Sequence, residues 1–335
     1  MKPARFRDLI VLNTYWLGLS FMWNSLHVII LPAVLLNFVP ENLKNTYLGL
    51  LTFVGLVIAM LVQPVSGWLS DRWRSRWGRR RPLIAAGTLL DFIFLAFLGW
   101  AGGLVWLAIG YIGLQLTSNI AHGPAQGLLP DRVPHAQLGV GSALKNMFDM
   151  VGLVAASLLV GRLLAPDASN AASVVGLVAA LLLVGALITL FGVREAPSTG
   201  QLDPGESGSV RDLLAALRRN QNYLWLISSR LLFLLGIYDI QVFAQYYVRD
   251  VIPTENPVQL TGDLLAAITL ALIATALAGG WLGDRFGHRK VQYAASAIGA
   301  LGCTLLLLAR TPATLLGYGA VLGVGIGLFI TANWA

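Results

Sequence analysis

Polar side chains recur at helical spacing inside long apolar runs of this 335-residue chain. In the first run they are Asn13, Ser20, Asn24 and His27, with Trp16 and Trp23 beside them. At about 100° per residue the four polar positions fall within about 60° of one another on a helix. Amide, hydroxyl and imidazole groups both donate and accept hydrogen bonds, and tryptophan stacks on the apolar face of a sugar ring. We interpret this face as a solute-binding surface suited to sugar hydroxyls.

A second apolar run carries a similar polar stripe, made of Gln115, Ser118, Asn119, His122 and Gln126. Polar groups at membrane depth are costly and usually face a cavity. The alternative interpretation is that these groups only form hydrogen bonds that hold neighbouring helices together. A single polar residue fits either interpretation equally well, whereas two separate stripes favour a cavity.

Ionisable side chains also lie inside the apolar runs. Asp91 is in the middle of the third run, and Lys145 and Asp149 are four residues apart, so that they share a helix face and are expected to pair. Arg230 and Asp239 are nine residues apart and half a turn out of phase. These two meet only if their helix is broken or if each has a partner elsewhere.

A carboxylate in a medium of low polarity favours its protonated form, and a nearby cation favours the ionised form. Alternation between such surroundings would take up and release a proton. We therefore predict Asp91 and Asp149 as proton carriers, with His27 next because imidazole titrates near neutrality, and with Asp239 as a further candidate. The alternative is a purely structural role, as an ion pair for Asp149 and as a buried hydrogen-bonding group for Asp91.

Two short basic loops separate pairs of apolar runs. Residues 67–82 read G-W-L-S-D-R-W-R-S-R-W-G-R-R-R-P, and residues 280–290 read G-W-L-G-D-R-F-G-H-R-K. A glycine before the membrane surface permits close helix approach, and the aspartate can pair with the following arginines or face a helix N-terminus. The alternative is that the arginines only set the topology, which requires no fixed spacing.

The composition indicates a membrane protein. Hydrophobic residues make up 56% of the chain and charged residues 12%, against about a quarter in soluble domains. The net charge of +7 is concentrated in short loops, so nucleic-acid binding is not expected. There is no phosphate-binding loop, no metal-ligand motif and no soluble domain large enough for an enzyme. We expect no catalysis, no metal and no cofactor, with a proton gradient as the energy source.

Ten runs are long enough to cross a bilayer, which takes about 20 residues. They span roughly 9–38, 45–69, 82–101, 104–129, 138–164, 171–193, 223–248, 261–283, 291–309 and 313–335. The polar segment 194–222, in which 211–219 suggests a short interfacial helix, divides a six-helix half (1–193) from a four-helix half (223–335). Most lysines and arginines lie on the side of the N-terminus, which predicts a cytoplasmic N-terminus and a multi-pass protein of the cytoplasmic (inner) membrane.

The repeated loop, G-x-L-x-D-R-x-G-x-[RK], resembles the signature loop of the major facilitator superfamily. Its first copy is longer and resembles that of sucrose/proton symporters and, more distantly, of glycoside–pentoside–hexuronide:cation symporters. The repeat of Thr117-Ser118-Asn119 as Thr331-Ala332-Asn333 supports two related halves. This resemblance implies an all-α fold of two pseudo-symmetric bundles with twelve helices, so we expect two C-terminal helices to be missing from the sequence.

The resemblance also implies a central site between spans 1, 4, 7 and 10, which adds Arg230 and Gln241 to the candidate solute-binding residues. It implies that the loops latch the two halves, with Asp71 facing an eleventh helix and the second loop facing the fifth. The candidate gating residues are Gly67, Asp71, Arg72, Gly78, Arg79, Arg80, Gly280, Asp284, Arg285, Gly287 and Arg289.

We therefore predict alternating access with proton-coupled uptake of a glycoside such as a disaccharide, by a protein that is monomeric when full length. One alternative is proton-driven efflux of amphipathic compounds, which two carboxylates at membrane depth and ten tryptophans would also suit. Another is a ten-helix membrane protein without transport activity. The residues specify neither the exact solute nor the coupling ion.

Overall fold

Ten long helices make up the structure, a computed structural model that describes residues 4–193, 195 and 221–334. The described part contains no strand, so the expected all-helical class is confirmed. The helices are α1 (Phe6–Leu35), α2 (Lys44–Arg72), α3 (Arg81–Gly99), α4 (Leu104–Arg132), α5 (Leu138–Leu163), α6 (Ala171–Gly192), α7 (Gln221–Val251), α8 (Pro257–Phe286), α9 (His288–Leu308) and α10 (Pro312–Trp334).

Each of the ten apolar runs corresponds to one helix that is long and apolar enough to cross a membrane. Most of the segment 194–222 lies outside the described residues, and the short helix expected over 211–219 lies wholly outside them. The division of the chain at this segment stays a prediction.

Successive helices run in opposite directions, so their connections alternate between two ends of the molecule. The basic end carries the loop 73–80 between α2 and α3 and Gly287 between α8 and α9. The far end is the opposite one, where α1 ends at Leu35 and α2 begins at Lys44.

Small residues let the helices of the first half approach closely. A Cβ added to Gly152 on α5 would lie 2.8 Å from the Leu17 carbonyl oxygen on α1, and one added to Gly185 on α6 would lie 3.1 Å from the Thr14 carbonyl oxygen. Helix α1 is therefore packed between α5 and α6, and it is the most buried span of the protein that the structure describes. Close backbone approach of this kind gives membrane helices their dispersion contacts.

The second half is built around α10, which packs between α8 and α9. A Cβ on Gly302 of α9 would lie 2.6 Å from the Leu322 Cα of α10, which shows how closely these helices approach. Helix α7 joins this group through the stacked rings of Phe233 and Phe329, whose centroids are 3.6 Å apart.

The two halves contact each other at the far end. A Cβ on Gly161 of α5 would lie 3.2 Å from the Gly262 Cα of α8. At the next residue of each helix, Arg162 forms an ion pair of 2.8 Å with Asp263. The Tyr246 hydroxyl of α7 also donates a hydrogen bond of 3.0 Å to the Pro32 carbonyl oxygen of α1. These contacts hold the far ends of the two halves together.

The contact between α3 and α4 generates a stability prediction. A Cβ on Gly87 would lie 2.7 Å from the Thr117 carbonyl oxygen and 2.8 Å from the Ala121 amide nitrogen, so a larger residue separates the two helices. We expect Gly87→Leu to destabilise the protein by about 1–3 kcal/mol, as overpacking does, and to lower the Tm of the detergent-purified protein. Gly176→Leu is the matched control, because Gly176 on α6 is exposed and has open space around it. Equal Tm values for the two variants would contradict the close packing of α3 on α4.

Candidate functional site

The centre of the candidate site is His27 on α1. Its Nε2 atom lies 2.9 Å from the Tyr111 hydroxyl oxygen and 3.2 Å from the Gln115 side-chain nitrogen, both on α4. Gln115 also donates a hydrogen bond of 2.9 Å to the Tyr111 hydroxyl, which leaves the tyrosine proton to be donated to His27. Both neighbours therefore act as donors toward Nε2, and this geometry requires a neutral imidazole with an unprotonated Nε2. A proton added at Nε2 would break the arrangement.

A local change of helix geometry positions His27. Residues Ser25–Ile30 form a π-helical turn inside α1, in which the Leu31 amide donates to the Leu26 carbonyl oxygen five residues earlier. Pro32 follows directly and has no amide proton to continue the ladder. Such turns shift the helix register and are frequent at functional sites. His27 is the third residue of this turn.

Aromatic rings form the walls around His27. The Trp23 ring stacks on the imidazole with centroids 4.8 Å apart, and Tyr238 of α7 approaches it edge-on at 6.2 Å. His27 and Trp23 are both half-buried, so the cluster is not sealed from solvent. Since α1 and α4 belong to the first half and α7 to the second, the cluster lies between the two halves.

The α4 side of the cluster is held by a further hydrogen-bond network. Asn119 donates to the Gln115 carbonyl oxygen at 2.7 Å and to its side-chain oxygen at 3.3 Å. Ser66 of α2 donates to the Asn119 carbonyl oxygen at 2.9 Å. A Cβ on Gly55 of α2 would lie 2.8 Å from the Tyr111 hydroxyl, so the glycine leaves the space that this tyrosine occupies. The donors around His27 are thus held by contacts with α2.

A second polar cluster lies on the side of α1 that faces α5. The predicted pair of Lys145 and Asp149 is present at 3.0 Å, and the Lys145 ammonium lies 4.0 Å from the centroid of the Trp16 ring. His122 packs edge-on against the same ring at 5.0 Å. Trp16 is therefore buried between a cation and an imidazole, and the half-buried Trp23 is the ring that a solute can reach.

Two other residues of the first stripe join this second cluster. Ser20 donates a hydrogen bond of 2.6 Å to the Asp149 carbonyl oxygen, and Asn24 donates to the Ser20 carbonyl oxygen at 2.8 Å. Asn13 lies elsewhere, fully buried between α1 and α5, where it donates to the carbonyl oxygens of Leu9 and Gly141. The shared face predicted for α1 is therefore divided between two neighbouring helices.

The remaining solute-binding candidates are further from His27. Gln126 is exposed and lines an open groove between α2 and α4 at the basic end, together with Asp71 and Arg80. Arg230 and Gln241 are half-buried on α7. Because α7 is unbroken, Arg230 and Asp239 lie about 14 Å apart along its axis, which leaves the alternative that each interacts with other groups.

Arg80 organises the first basic loop. Its guanidinium pairs with Asp71 at 2.9 Å, with Asp131 at the end of α4, and with the Ser70 hydroxyl oxygen at 3.2 Å. The space that it fills exists because Gly127 of α4 has no side chain. Asp71 therefore pairs with an arginine that follows it in the same loop, as the sequence allowed.

Other charged groups complete this loop. Arg79 pairs with Asp131 at 2.7 Å, and this hydrogen bond raises the pKa of the Arg79 guanidinium. Glu195, which follows α6, accepts hydrogen bonds from the backbone amides of Arg80 at 3.1 Å and Arg81 at 3.0 Å. A carboxylate at a helix N-terminus satisfies unpaired amides and is favoured by the helix dipole. Glu195 therefore links the end of the six-helix half to the loop.

The turn geometry of the two loops uses glycine, whereas Arg72 packs on its own helix. Gly78 and Gly287 have φ values of 99° and 91°, in the left-handed region that favours glycine. The guanidinium of Arg72 lies 4.2 Å from the centroid of the Trp68 ring. Gly67 of α2 faces Gly123 of α4 at the groove.

Among the described residues, the side-chain contacts of the second basic loop lie within its own half. Asp284 is exposed, and its partner is His288 at 3.6 Å. Arg285 lies over the Trp281 ring, and Arg289 donates a hydrogen bond of 3.0 Å to the Tyr293 hydroxyl. Gly280 contacts Thr331 of α10. The expected contact of this loop with the fifth helix is absent from the described part of the structure, because α5 and α8 meet at the far end instead.

Ion pairs link the halves at the far end. Lys44, at the start of α2 and 4% exposed, lies 2.6 Å from both Glu41 and Asp250. Arg249 of α7 also approaches Glu41 at 3.4 Å. This cluster of Glu41, Lys44, Arg249 and Asp250, here called the far-end latch, spans α2 and α7. Ion pairs therefore join the two halves at the far end, whereas among the described residues no ion pair or hydrogen bond joins the two basic loops.

Several of these functional candidates were not singled out from the sequence: Tyr111, Tyr238, Lys44, Asp131, Asp250 and Glu195. Tyr111 carried a usable signal, because it lies one helical turn before Gln115 and extends the same stripe. The others depend on contacts between distant segments. Among the described residues, no group of three or more His, Cys, Asp or Glu side chains lies close enough together to hold a metal ion.

Comparisons with known proteins agree with this architecture. The model of the family "MFS/sugar transport protein" matches residues 17–335. Among curated relatives, the rice sucrose transport protein SUT5 (Oryza sativa subsp. indica) is 25% identical over 137 residues, and mouse solute carrier family 45 member 3 is 30% identical over 140 residues. The matched regions cover 34% and 38% of this chain, but the chain spans only 25% of the length of each relative.

Solved structures share the fold at low sequence identity. A bacterial homologue of the human lysosomal transporter Spinster, in an inward-facing and unoccupied conformation, has a TM-score of 0.73 at 18% identity, and the match covers 100% of this chain and 75% of that one. A mutant of the peptide transporter POT has a TM-score of 0.65 at 15% identity, covering 96% and 81%. The chain is therefore a multi-pass membrane protein with the major facilitator fold, and it belongs to the MFS/sugar transport protein family.

Proposed function

We propose that this protein is a secondary transporter that moves a glycoside across the membrane by alternating access. The observation that carries the proposal is the His27 cluster, which draws on α1, α4 and α7 and so lies between the two halves. A solute bound at this position contacts both halves. It can therefore favour one arrangement of the two halves over another.

The chemistry of the cluster suits a sugar. His27 is uncharged and half-buried and can bond a hydroxyl group, while the buried Gln115 and Asn119 hold it in place. Trp23 offers a flat ring for the apolar face of a pyranose. The relatives named sucrose transport proteins support a disaccharide as the solute. We therefore use sucrose as the probe in the experiments below.

The arrangement of the two ends supports an alternating-access cycle. The basic end is assigned to the cytoplasm of a cytoplasmic membrane, because lysine and arginine concentrate there. With the far-end latch closed and the basic loops apart, this conformation is open to the cytoplasm. Its likeness to a structure described as inward-facing and unoccupied supports this assignment.

The energy source is assigned to a proton gradient, with carriers among the ionisable groups of the spans. Asp149 on α5 is paired with Lys145, and His27 is neutral in this geometry. A proton on either group would break an existing interaction, which is one way to link protonation to movement.

Efflux of an amphipathic compound is a second candidate, and one cavity favours it. A space of about 330 Å³ lies among α7, α8, α9 and α10 and is lined by apolar residues, with Asp239 at its edge. Such a pocket suits a hydrophobic cation.

Uptake into proteoliposomes tests the proposal. The full-length protein is reconstituted, and radiolabelled sucrose is followed with and without a pH gradient that is acidic outside. We expect accumulation that collapses when a protonophore removes the gradient. Absence of sucrose uptake in any gradient, together with gradient-driven movement of a cationic dye, would replace this proposal with efflux.

The first prediction from this site concerns Trp23, whose ring stacks on His27. Trp23→Leu removes the accessible ring above His27, and an aromatic stack contributes about 0.5–1.5 kcal/mol beyond its buried area. We expect the KM for sucrose to rise about tenfold, which corresponds to about 1.4 kcal/mol. Trp100→Leu is the control, because Trp100 is 71% exposed at the far end of α3 and away from the cluster. An unchanged KM in Trp23→Leu would exclude this ring from the solute site.

The far-end latch generates the second prediction. Lys44→Met leaves the carboxylates of Glu41 and Asp250 without their shared cation, and each partly exposed pair is worth up to about 1 kcal/mol. We expect the conformation open at the far end to become about tenfold more populated, since about 1.4 kcal/mol is a factor of ten. In a Cys303→Ser background, labelling of Asn24→Cys by a membrane-impermeant thiol reagent added from the far side measures that population.

The control for this experiment is Arg310→Ala. Arg310 also lies at the far end, but its guanidinium donates to the carbonyl oxygens of Leu307 and Ala309 within its own half. Its loss should leave the labelling rate unchanged. Equal labelling rates in Lys44→Met and the parent protein would show that the latch does not hold the far end closed.

A further inference from the structure

Asp91 is enclosed within the first half, away from the solute site. It lies on α3 and is fully buried. One of its carboxyl oxygens, Oδ1, lies 2.6 Å from the Thr117 hydroxyl of α4. The other, Oδ2, is buried and has no hydrogen-bond partner.

The groups that face Asp91 carry no charge. From α1, the Tyr15 hydroxyl approaches and shares a hydrogen bond of 2.8 Å with Thr88, one turn before Asp91 on α3. Helix α6, which also packs on α3, has no titratable residue between Ala171 and Gly192. On α4, Tyr111 and His122 point to His27 and Trp16 instead. An ionised Asp91 would therefore be a buried charge with one hydrogen bond and no cation, which is strongly disfavoured.

The hydrogen bonds of Thr117 identify the form that fits. Its hydroxyl lies within bonding distance of both Asp91 Oδ1, at 2.6 Å, and the Gly113 carbonyl oxygen, at 3.1 Å. A hydroxyl has only one proton to donate. Both contacts are satisfied together when Asp91 carries a proton on Oδ1 and donates it to Thr117, while Thr117 donates to Gly113. The unpartnered Oδ2 is then a neutral carbonyl oxygen.

We propose that Asp91 is the site that holds the transported proton. It lies inside the first half, and its hydrogen-bond partner Thr117 does not contact His27 in the solute site. That this proton is transported rests on the proposed function, whereas the protonated state of Asp91 rests on the geometry alone. Thr117 lies on α4, two residues from both Gln115 and Asn119. The same helix therefore contributes residues to the Asp91 site and to the solute site. Movement of α4 against α3 exposes the carboxyl group to water, and the proton then leaves from Oδ1.

Infrared spectroscopy tests the protonated state directly. The full-length protein in liposomes at neutral pH should show the C=O stretch of an un-ionised carboxylic acid, with a shift in D2O, although free aspartate ionises near pH ~3.9. Asp91→Asn should remove this band and Asp149→Asn should retain it, because Asp149 is paired with Lys145. A spectrum without the band, or a band that survives Asp91→Asn, overturns the proposal.

Thr117→Val provides a second variant of nearly the same shape. It removes the acceptor of the Asp91 proton, so the C=O band should move to higher frequency and remain present. A band position identical to that of the parent protein would show that Asp91 and Thr117 are not bonded as the geometry indicates.

Transport by Asp91→Asn tests the role in coupling. In proteoliposomes this variant should lose accumulation of sucrose driven by a pH gradient and should keep counterflow of sucrose, which needs no net proton movement. Gradient-driven accumulation equal to that of the parent overturns the coupling role, as does loss of counterflow. If the parent protein moves no sucrose but shows the infrared band, the glycoside proposal fails and the protonated Asp91 stands.

Discussion

The hydrocarbon core of a bilayer offers no hydrogen-bond partner, so each polar side chain at membrane depth must find one within the protein or line an aqueous cavity. The structure meets this constraint differently at three places. Around His27 the donors of Tyr111 and Gln115 are paired, but Trp23 and His27 remain accessible. Beside Trp16, the charges of Lys145 and Asp149 neutralise each other. At Asp91 the geometry favours a neutral acid, because no cation faces it.

Small residues make this arrangement of polar groups compatible with dense packing. Gly55 leaves room for Tyr111, Gly87 brings α3 close to α4 near Asp91, and Gly127 leaves room for the Arg80 guanidinium. Each of these polar groups is therefore matched by a glycine at a helix contact. The same principle closes the far end, where Gly161 meets Gly262 between the two halves.

The parts of the fold that follow from the local sequence could be predicted. The length of the apolar runs predicted the ten membrane spans, and the four-residue spacing of Lys145 and Asp149 predicted their ion pair. The angle of a residue around its helix does not show which neighbouring helix that residue contacts. Asn13 lies against α5, and Gln126 lies in the groove with Arg80. His27 also lies within the π-helical turn Ser25–Ile30, whose geometry an ideal α-helix does not anticipate.

Contacts between distant segments could not be read from spacing at all. Glu195 reaches the start of α3 and Lys44 reaches Asp250 only because the helices fold back on one another. The latch role proposed for Lys44 depends on a second conformation, which is open at the far end. Sequence resemblance supplied the expectation of a second conformation.

Distances between the two halves, measured by double electron–electron resonance with and without sucrose, test the central claim most directly. One pair of spin labels replaces Arg74 and Lys290 at the basic end, and the other replaces Ser169 and Glu255 at the far end, in a Cys303→Ser background. An alternating-access carrier that binds sucrose between its halves predicts that saturating sucrose shortens the basic-end distances and lengthens the far-end distances. Distances that stay the same at both ends, or change in the same direction, would contradict the account.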